Sequence, residues 1–458
     1  MPALGESQAA LSAVISSQQA KLLASDGEEF DTFGLSVAVS GDTAIIGASR
    51  DDGRGTDAGA AYIYVRSGVT WIEQAKLLAA DGASNDSFGI AVALSGNTAI
   101  IGSMFADDGV SDGGSAYVFV RSGTTWTQQA KLLAADRAPD DQLGISVAIA
   151  GDTAIVGATN EDDLGDRAGA SYVFVRSGAA WTEQTKLTAA DGAEADQFGI
   201  SVAVSGDTAL VGAFGDDDLG RSSGSAYVFV RSAGSWTQQA KLLASDGNEI
   251  DELGVSVALA GDTALVGAVF ADDEQGAAYV YVRSGTSWTE QAKLSAADGA
   301  PSDNFGNAVA LEGDTALIGA PNDNDLGAAS GSAYVFVRLG TGWSQDAKLL
   351  ASDGTSIDLF GVSVGLSAGT AVIGALGDDD RGSSSGSTYV YVAPGEPTEP
   401  GGENGGVCVT SADCASGFCT DGVCCNAACG NGDANDCQAC SVAAGAAVNG
   451  ACGPRAPS

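Results

Sequence analysis

The chain has 458 residues, with 59 Asp and Glu against 20 Lys and Arg and a formal net charge of -39 at pH 7. That balance speaks against nucleic acid and anionic membrane surfaces as partners, because phosphate contacts need basic side chains. There is no His, which removes the commonest general base and transition-metal ligand, and no apolar run approaches the roughly 18 residues of a spanning helix, so no membrane insertion is expected.

Residues 1–17 show no basic segment followed by an apolar core, so no signal peptide is legible and the stretch reads as a leader or a disordered segment. From residue 18 onward the chain repeats itself. A Phe-Gly or Leu-Gly pair opens each of seven units, at Phe33, Phe88, Leu143, Phe198, Leu253, Phe305 and Phe360. The unit recurs about every 55 residues, and the step from Leu253 to Phe305 is shorter by three.

Four extended segments can be read in each unit. The first two, such as Ser36–Ser40 and Thr43–Ala48, are short, rich in Val, Ile and Ala, and joined by Gly41-Asp42. Gly-Asp between two apolar runs is a two-residue hairpin signal, because Gly supplies the positive φ of the primed turns. The third segment, residues 116–121 for example, is apolar on both faces, as expected of a strand sandwiched between layers. The fourth, residues 126–134, mixes Thr, Gln and Lys with Ala and Leu and should be the most exposed. This gradient predicts a radial four-stranded sheet with its first strand at an axis and its fourth at the rim. The rim Trp residues (Trp71, Trp126, Trp181, Trp236, Trp288 and Trp343) are expected to pack between adjacent sheets, and Phe33, Phe88, Phe198, Phe305 and Phe360 to form an axial core.

Seven such sheets bury one another only when packed around an axis, the propeller solution to the edge problem. The ends of the chain support closure. Unit seven stops at Val392 after its third strand, and residues 18–23 (Gln-Gln-Ala-Lys-Leu-Leu) repeat residues 128–133 of a rim strand. The expected fold is therefore all-β: a monomeric seven-bladed propeller over residues 18–392, with four-stranded blades and the last closed by the N-terminal strand. Residues 393–407, rich in Pro, Gly and Glu, read as an extended linker. Residues 408–458 hold all nine cysteines: Cys408, Cys414, Cys419, Cys424, Cys425, Cys429, Cys437, Cys440 and Cys452. A dense cluster with an adjacent Cys424-Cys425 pair and no His favours a small disulfide-rich module over a zinc site at Cys437-x-x-Cys440. It points to an oxidising, extracellular or cell-surface location, with no connectivity assigned.

The residues Phe198-Gly199, Ser201-Val202-Ala203, Gly206-Asp207-Thr208 and Gly212-Ala213 resemble the FG-GAP repeat of integrin α-subunit propellers and bacterial surface proteins. The bacterial branch, with Trp-Thr-Gln-Gln-Ala-Lys-Leu leading to an Ala-Asp-Gly loop, is the nearer likeness. The resemblance implies a propeller used for binding or adhesion. In the calcium-binding repeats of integrins an Asp-x-Asp-x-Asp-Gly loop joins the first two strands. Here a Gly-Asp turn stands there, too short to wrap an ion that takes six to eight oxygens, so those ligands do not carry over.

The acids concentrate elsewhere. Loops joining strands two and three, and those leading from one unit to the next, share one face of a propeller, and they hold most of the carboxylates. Crowded carboxylates favour a counter-ion, so calcium is expected at Asp216, Asp217 and Asp218, at Asp323 and Asp325, and at Asp378, Asp379 and Asp380. The alternative is that these are solvated turn residues. No unit carries a unique catalytic constellation, and no enzyme is read. The expected function is binding or adhesion through the acidic face, with a protein or glycan partner and possible calcium dependence. The alternatives are a scaffold displaying the cysteine module, or a glycan or phosphoester hydrolase using loop carboxylates.

Overall fold

The computed structural model describes residues 15–393 and four two-residue strand segments beyond them, Cys419–Thr420, Val423–Cys424, Gln438–Ala439 and Gly453–Pro454. The cysteine side chains and the expected disulfide module lie outside the described residues, as do residues 1–14. Two compact units divide the chain: Val14–Tyr64 with Glu73–Val392, and Met1–Ala13 with Val65–Ile72 and Ala393–Ser458.

The repeats form seven four-stranded antiparallel sheets. Blade one spans residues 36–77, blade two 92–132, blade three 146–187, blade four 202–242, blade five 253–294 and blade six 308–349. Blade seven takes residues 360–392 and its rim strand from Ser17–Leu22. First strands adjoin those of both neighbouring blades, and blade one adjoins blade seven, so the ring is closed.

Blade four shows how sequence becomes sheet. Its first two strands, Val202–Ser205 and Thr208–Ala213, pair from Val202 opposite Val211 to Ser205 opposite Thr208. That register leaves Gly206 and Asp207 as the turn, with Gly206 at φ 59°. The second strand is buried throughout, and the third, Ser225–Ser232, is buried over its first five residues. The rim strand, Ser235–Leu242, is largely half-exposed, which suits its Thr, Gln and Lys.

The N-terminal strand copies a rim strand down to its irregularity. In blade four the pairing skips a residue between Val228 and Phe229, leaving Gln239 as a bulge. Against blade seven the same slip falls between Gln18 and Ala20, with Gln19 as the extra residue. The ordered chain also reaches back into the stretch read as a leader. Ile15 is buried, and the Ser16 amide donates to the Val392 carbonyl at 3.1 Å.

The Phe-Gly pairs are not axial. Phe198 is fully buried, but it packs edge-on against Tyr227 and Phe229 of the third strand of its own blade, with ring centroids 5.4 and 6.0 Å away. Its amide donates to the Ala168 carbonyl of blade three at 3.0 Å. In blade four the pair precedes the first strand, where the chain is still crossing the gap between blades, so the ring wedges into that gap. The axis is lined by Leu35, Ile90, Ile145, Ile200, Val255 and Val362, with Asn307 in the seventh position.

The glycine of the wedge answers a second glycine. A Cβ at Gly212 would overlap the carbonyl oxygen of Gly254, the wedge glycine of blade five, to which the Ser201 hydroxyl donates at 2.7 Å. Two backbones thus meet with no room for a side chain. Gly212→Ala should cost about 3 kcal/mol through overpacking. Gly206→Ala meets nothing within 4 Å and should cost about 1 kcal/mol, for left-handed backbone alone. Urea unfolding of the two variants measures this, and equal costs would contradict the wedge.

Candidate functional site

On the face formed by the longer loops, each blade holds one lysine among carboxylates. In blade four Lys241 leaves the rim strand and lies 2.9 Å from Asp191, 2.7 Å from Asp216 and 2.6 Å from Asp218. Asp191 follows the rim strand of blade three, whereas Asp216 and Asp218 belong to the second loop of blade four, so the cluster ties two blades. Tyr227 forms the floor: its hydroxyl is 3.0 Å from Asp191 and 2.7 Å from Asp216, and the lysine nitrogen sits 5.2 Å from its ring centroid.

The arrangement recurs around the ring. Lys21, Lys186 and Lys348 each pair with three carboxylates: Asp353, Asp378 and Asp380; Asp136, Glu161 and Asp163; Asp298, Asp323 and Asp325. Lys76, Lys131 and Lys293 each pair with two. Local sequence explains the smaller sets. Gly53 replaces the third acid in blade one, and Ala106 and Ala271 replace the first in blades two and five.

Burial works against the charged form of Lys241, but hydrogen bonds to Asp216, Asp218 and Asp191 outweigh it and hold its pKa well above the ordinary lysine value. The partner Asp191 is likewise desolvated, yet the Lys241 and Tyr227 hydrogen bonds bring its pKa below the usual aspartate value. A different aspartate precedes each wedge. Asp196 is buried and accepts the Ala193 amide at 2.8 Å. Burial, with repulsion from Asp216, pushes its carboxyl up to about 6 despite that amide. Asp31 and Asp141 also rise to about 6, with burial as the leading cause.

This places the residues expected to hold calcium. Asp216, Asp218, Asp323, Asp325, Asp378 and Asp380 converge in their blades, each on a lysine ammonium. Asp217 and Asp379 are exposed and lie outside those clusters. Glu161, Asp162 and Asp163 bring one oxygen each within 4.8 Å of one another, and Lys186 contacts two of the three. The sequence reading missed the lysine. The signal was present: Ala-Lys-Leu, or Thr-Lys-Leu in blade three, recurs in every rim strand, whereas the number of acids per loop varies.

The opposite face is nearly neutral and differently stitched. Arg176 pairs with the turn residue Asp152 at 2.6 Å, donates to Thr98 of blade two at 3.0 Å, and stacks 5.3 Å from the Trp181 centroid. Trp181 donates to Gln129 of blade two at 3.0 Å, so the rim Trp does join adjacent blades. Where Asn97 replaces the turn aspartate, Arg121 donates to the Gly123 carbonyl instead.

The shortened fifth unit is the one blade whose second loop forms a helical turn, Ala271–Glu274, among the described residues. Asp272, Asp273 and Glu274 all take left-handed backbone, at φ 56°, 58° and 68°. They line an acidic cleft of about 660 Å³ with Ile250 and Phe270.

Seven four-stranded sheets packed in a closed ring define the β-propeller class. Within that class the chain belongs to the FG-GAP repeat family, whose model matches residues 16–64, 71–119, 126–174, 181–229, 236–281, 288–336 and 343–391. Each matched segment starts in one blade's rim strand and ends in the next blade's third strand, the offset that closes the ring. A search of curated proteins gave no match. Among solved structures the chain is similar to one in the crystal structure of a mitotic checkpoint complex. The TM-score is 0.51 at 9% identity, covering 82% of this chain and 94% of that one, a likeness of fold alone.

Two predictions follow from the charges. The carboxyls of Asp31, Asp141 and Asp196 have folded pKa values above the ordinary 3.8, so the fold favours their protonated forms and gains stability as pH falls from about 6 towards 4. The lysine-paired aspartates, Asp191 among them, are shifted down, and their contribution is lost as pH falls below 3.8 through the folded values. Thermal midpoints should therefore be higher at pH 5 than at pH 7.5 and drop steeply in stronger acid; a midpoint rising from pH 5 to 7.5 would contradict this. Separately, Lys241→Met strands the buried Asp216 and should cost about 3–5 kcal/mol in urea unfolding; a loss under 1 kcal/mol, typical of surface pairs, would contradict the role given to the lysine.

Proposed function

We propose that the chain is a non-catalytic binding protein, extracellular or at the cell surface, that meets a protein or glycan partner with its acidic loop face. The observation that carries this reading is the unequal neutralisation of the two faces. On the turn face the aspartates Asp152, Asp207, Asp262 and Asp314 each pair with an arginine. On the loop face the lysines serve the inner carboxylates, while Asp52, Asp107, Asp162, Asp217 and Asp379 stand exposed. Such one-sided charge speeds encounter with a cationic partner and rejects anionic ones. Loops on a rigid scaffold are also where binding residues concentrate.

Calcium belongs to this proposal as a competitor of lysine. An ion at Asp216 and Asp218, at Asp323 and Asp325, or at Asp378 and Asp380 must displace an ammonium 2.6–2.9 Å from those oxygens. A calcium-dependent face predicts an upward shift of the melting midpoint at millimolar calcium, reversed by chelator. An unchanged midpoint would remove calcium and leave the binding reading in place.

The binding reading is tested with a partner captured from cell-envelope extract and two sets of variants of the full chain. Asp52→Asn, Asp107→Asn, Asp162→Asn and Asp217→Asn together should weaken binding about tenfold or more. Asp152→Asn, Asp207→Asn and Asp262→Asn together should leave it nearly unchanged. Equal effects of the two sets would contradict the face assigned.

A further inference from the structure

Seven copies of one unit act as internal controls. A feature present in every blade serves the fold, and a feature confined to one sector calls for another reason. On the acidic face, a cavity of about 350 Å³ opens where blades seven, one and two meet. It is walled mainly by carbon, from Phe30, Leu35, Ile90, Met104, Phe105 and Leu376.

Leu35 and Ile90 have aliphatic counterparts in most blades, and the positions of Met104 and Leu376 carry Phe214, Val269 and Pro321 elsewhere; what is particular to this sector is that Phe30, in the loop entering blade one, and Phe105 of blade two line one hollow. The positions equivalent to Phe30 carry Asn85, Asp140, Ala195, Ile250, Ser302 and Ile357, and those equivalent to Phe105 carry Arg50, Asn160, Gly215, Phe270, Asn322 and Gly377, so no other pair of adjacent blades brings two aromatic rings to these positions. Phe30 is also the wrong residue for its backbone. It sits at φ 68°, a left-handed conformation that Asn or Asp adopts at lower cost. The residue is nonetheless 53% exposed. Ile250 and Ile357 share that backbone, each at φ 72°, and are also exposed, but core packing does not account for the aromatic ring that Phe30 alone brings there, so its side chain is free to serve something outside the fold.

The surroundings say what. Glu28 and Glu29 precede Phe30 in its loop, Asp107 lies two residues after Phe105 and Asp379 three after Leu376, all exposed. An apolar hollow in an acidic rim complements an apolar group carried among positive charges. Arg50 also lines the hollow, and its planar cation favours an aromatic face over an aliphatic chain. Resting on the acidic-face reading above, we propose that this pocket receives an aromatic side chain on a lysine- or arginine-flanked segment of a partner protein. The ring lies against Phe30, Phe105 and Leu376, and the flanking cations reach Glu28, Glu29, Asp107 and Asp379. Such an anchor in a pocket with a charged rim is the usual arrangement of an energetic centre in a protein interface.

The experiment uses the full chain and three end-capped, fluorescently labelled peptides: tryptophan flanked by lysines, alanine flanked by lysines, and tryptophan flanked by glutamates. Anisotropy titrations should give the lysine–tryptophan peptide about tenfold or greater preference over the lysine–alanine one, and no binding of the glutamate peptide. Phe30→Gly should abolish that preference while raising the melting midpoint, because Gly suits the left-handed backbone; loss of binding thereby separates from loss of fold. Equal affinities for the two lysine peptides, or a preference that survives Phe30→Gly, would overturn the pocket and leave the acidic-face reading standing. Absence of binding by both lysine peptides at low salt counts against both.

Discussion

The structure depends on an ammonium group shared between carboxylates of two blades. Apolar packing between radial sheets supplies most of the burial, and the wedged rings and paired glycines fix how closely two blades approach; the charged clusters add a directional contact on the loop face. A lysine held by an aspartate from the preceding rim and an acid from its own second loop has only one place to sit. Taking those charges partly out of water is costly, and a single pair would return little. Two or three carboxylates around one cation, with a tyrosine hydroxyl beneath, meet the hydrogen-bonding demand that burial creates. The turn face repeats the idea with arginine, which reaches a threonine of the preceding blade and stacks on its own Trp.

The same interaction explains how the two ends of the propeller meet. Lys21, on the N-terminal strand, finds Asp353 from blade six and Asp378 and Asp380 from blade seven. On its other side, the Ser25 amide and hydroxyl donate to Glu73 of blade one. Strand pairing, the bulge at Gln19 and the lysine cluster all select one position for residues 17–22, so closure is specified by several independent contacts.

Much of this was legible in the sequence because it is written seven times. The Gly-Asp turns, the buried third strands, the polar rim and the split seventh blade all follow from local chemistry read against the period. The place of Phe198 and its counterparts was misread. A pair of residues before a strand gives no sign of whether its side chain faces the axis or the gap between blades, and the close approach of Gly212 to Gly254 that decides it joins residues about forty apart. The lysine clusters were missed for a related reason. Counting acids per loop left the lysine unseen, because it sits on a strand read as merely exposed. Sequence separation hid the partnership of Lys241 with Asp191, fifty residues earlier. The departures from the repeat, Phe30 and the fifth blade among them, were readable as irregularities, but only the structure shows which of them surround a common space.

The central claim is that each rim lysine is the cation holding adjacent blades together. A crystal structure of the full chain grown in millimolar calcium tests it most directly. The account predicts all seven lysine nitrogens within ion-pair distance of their carboxylates. Calcium bound by Asp216 and Asp218, with Lys241 turned out to solvent, would contradict it.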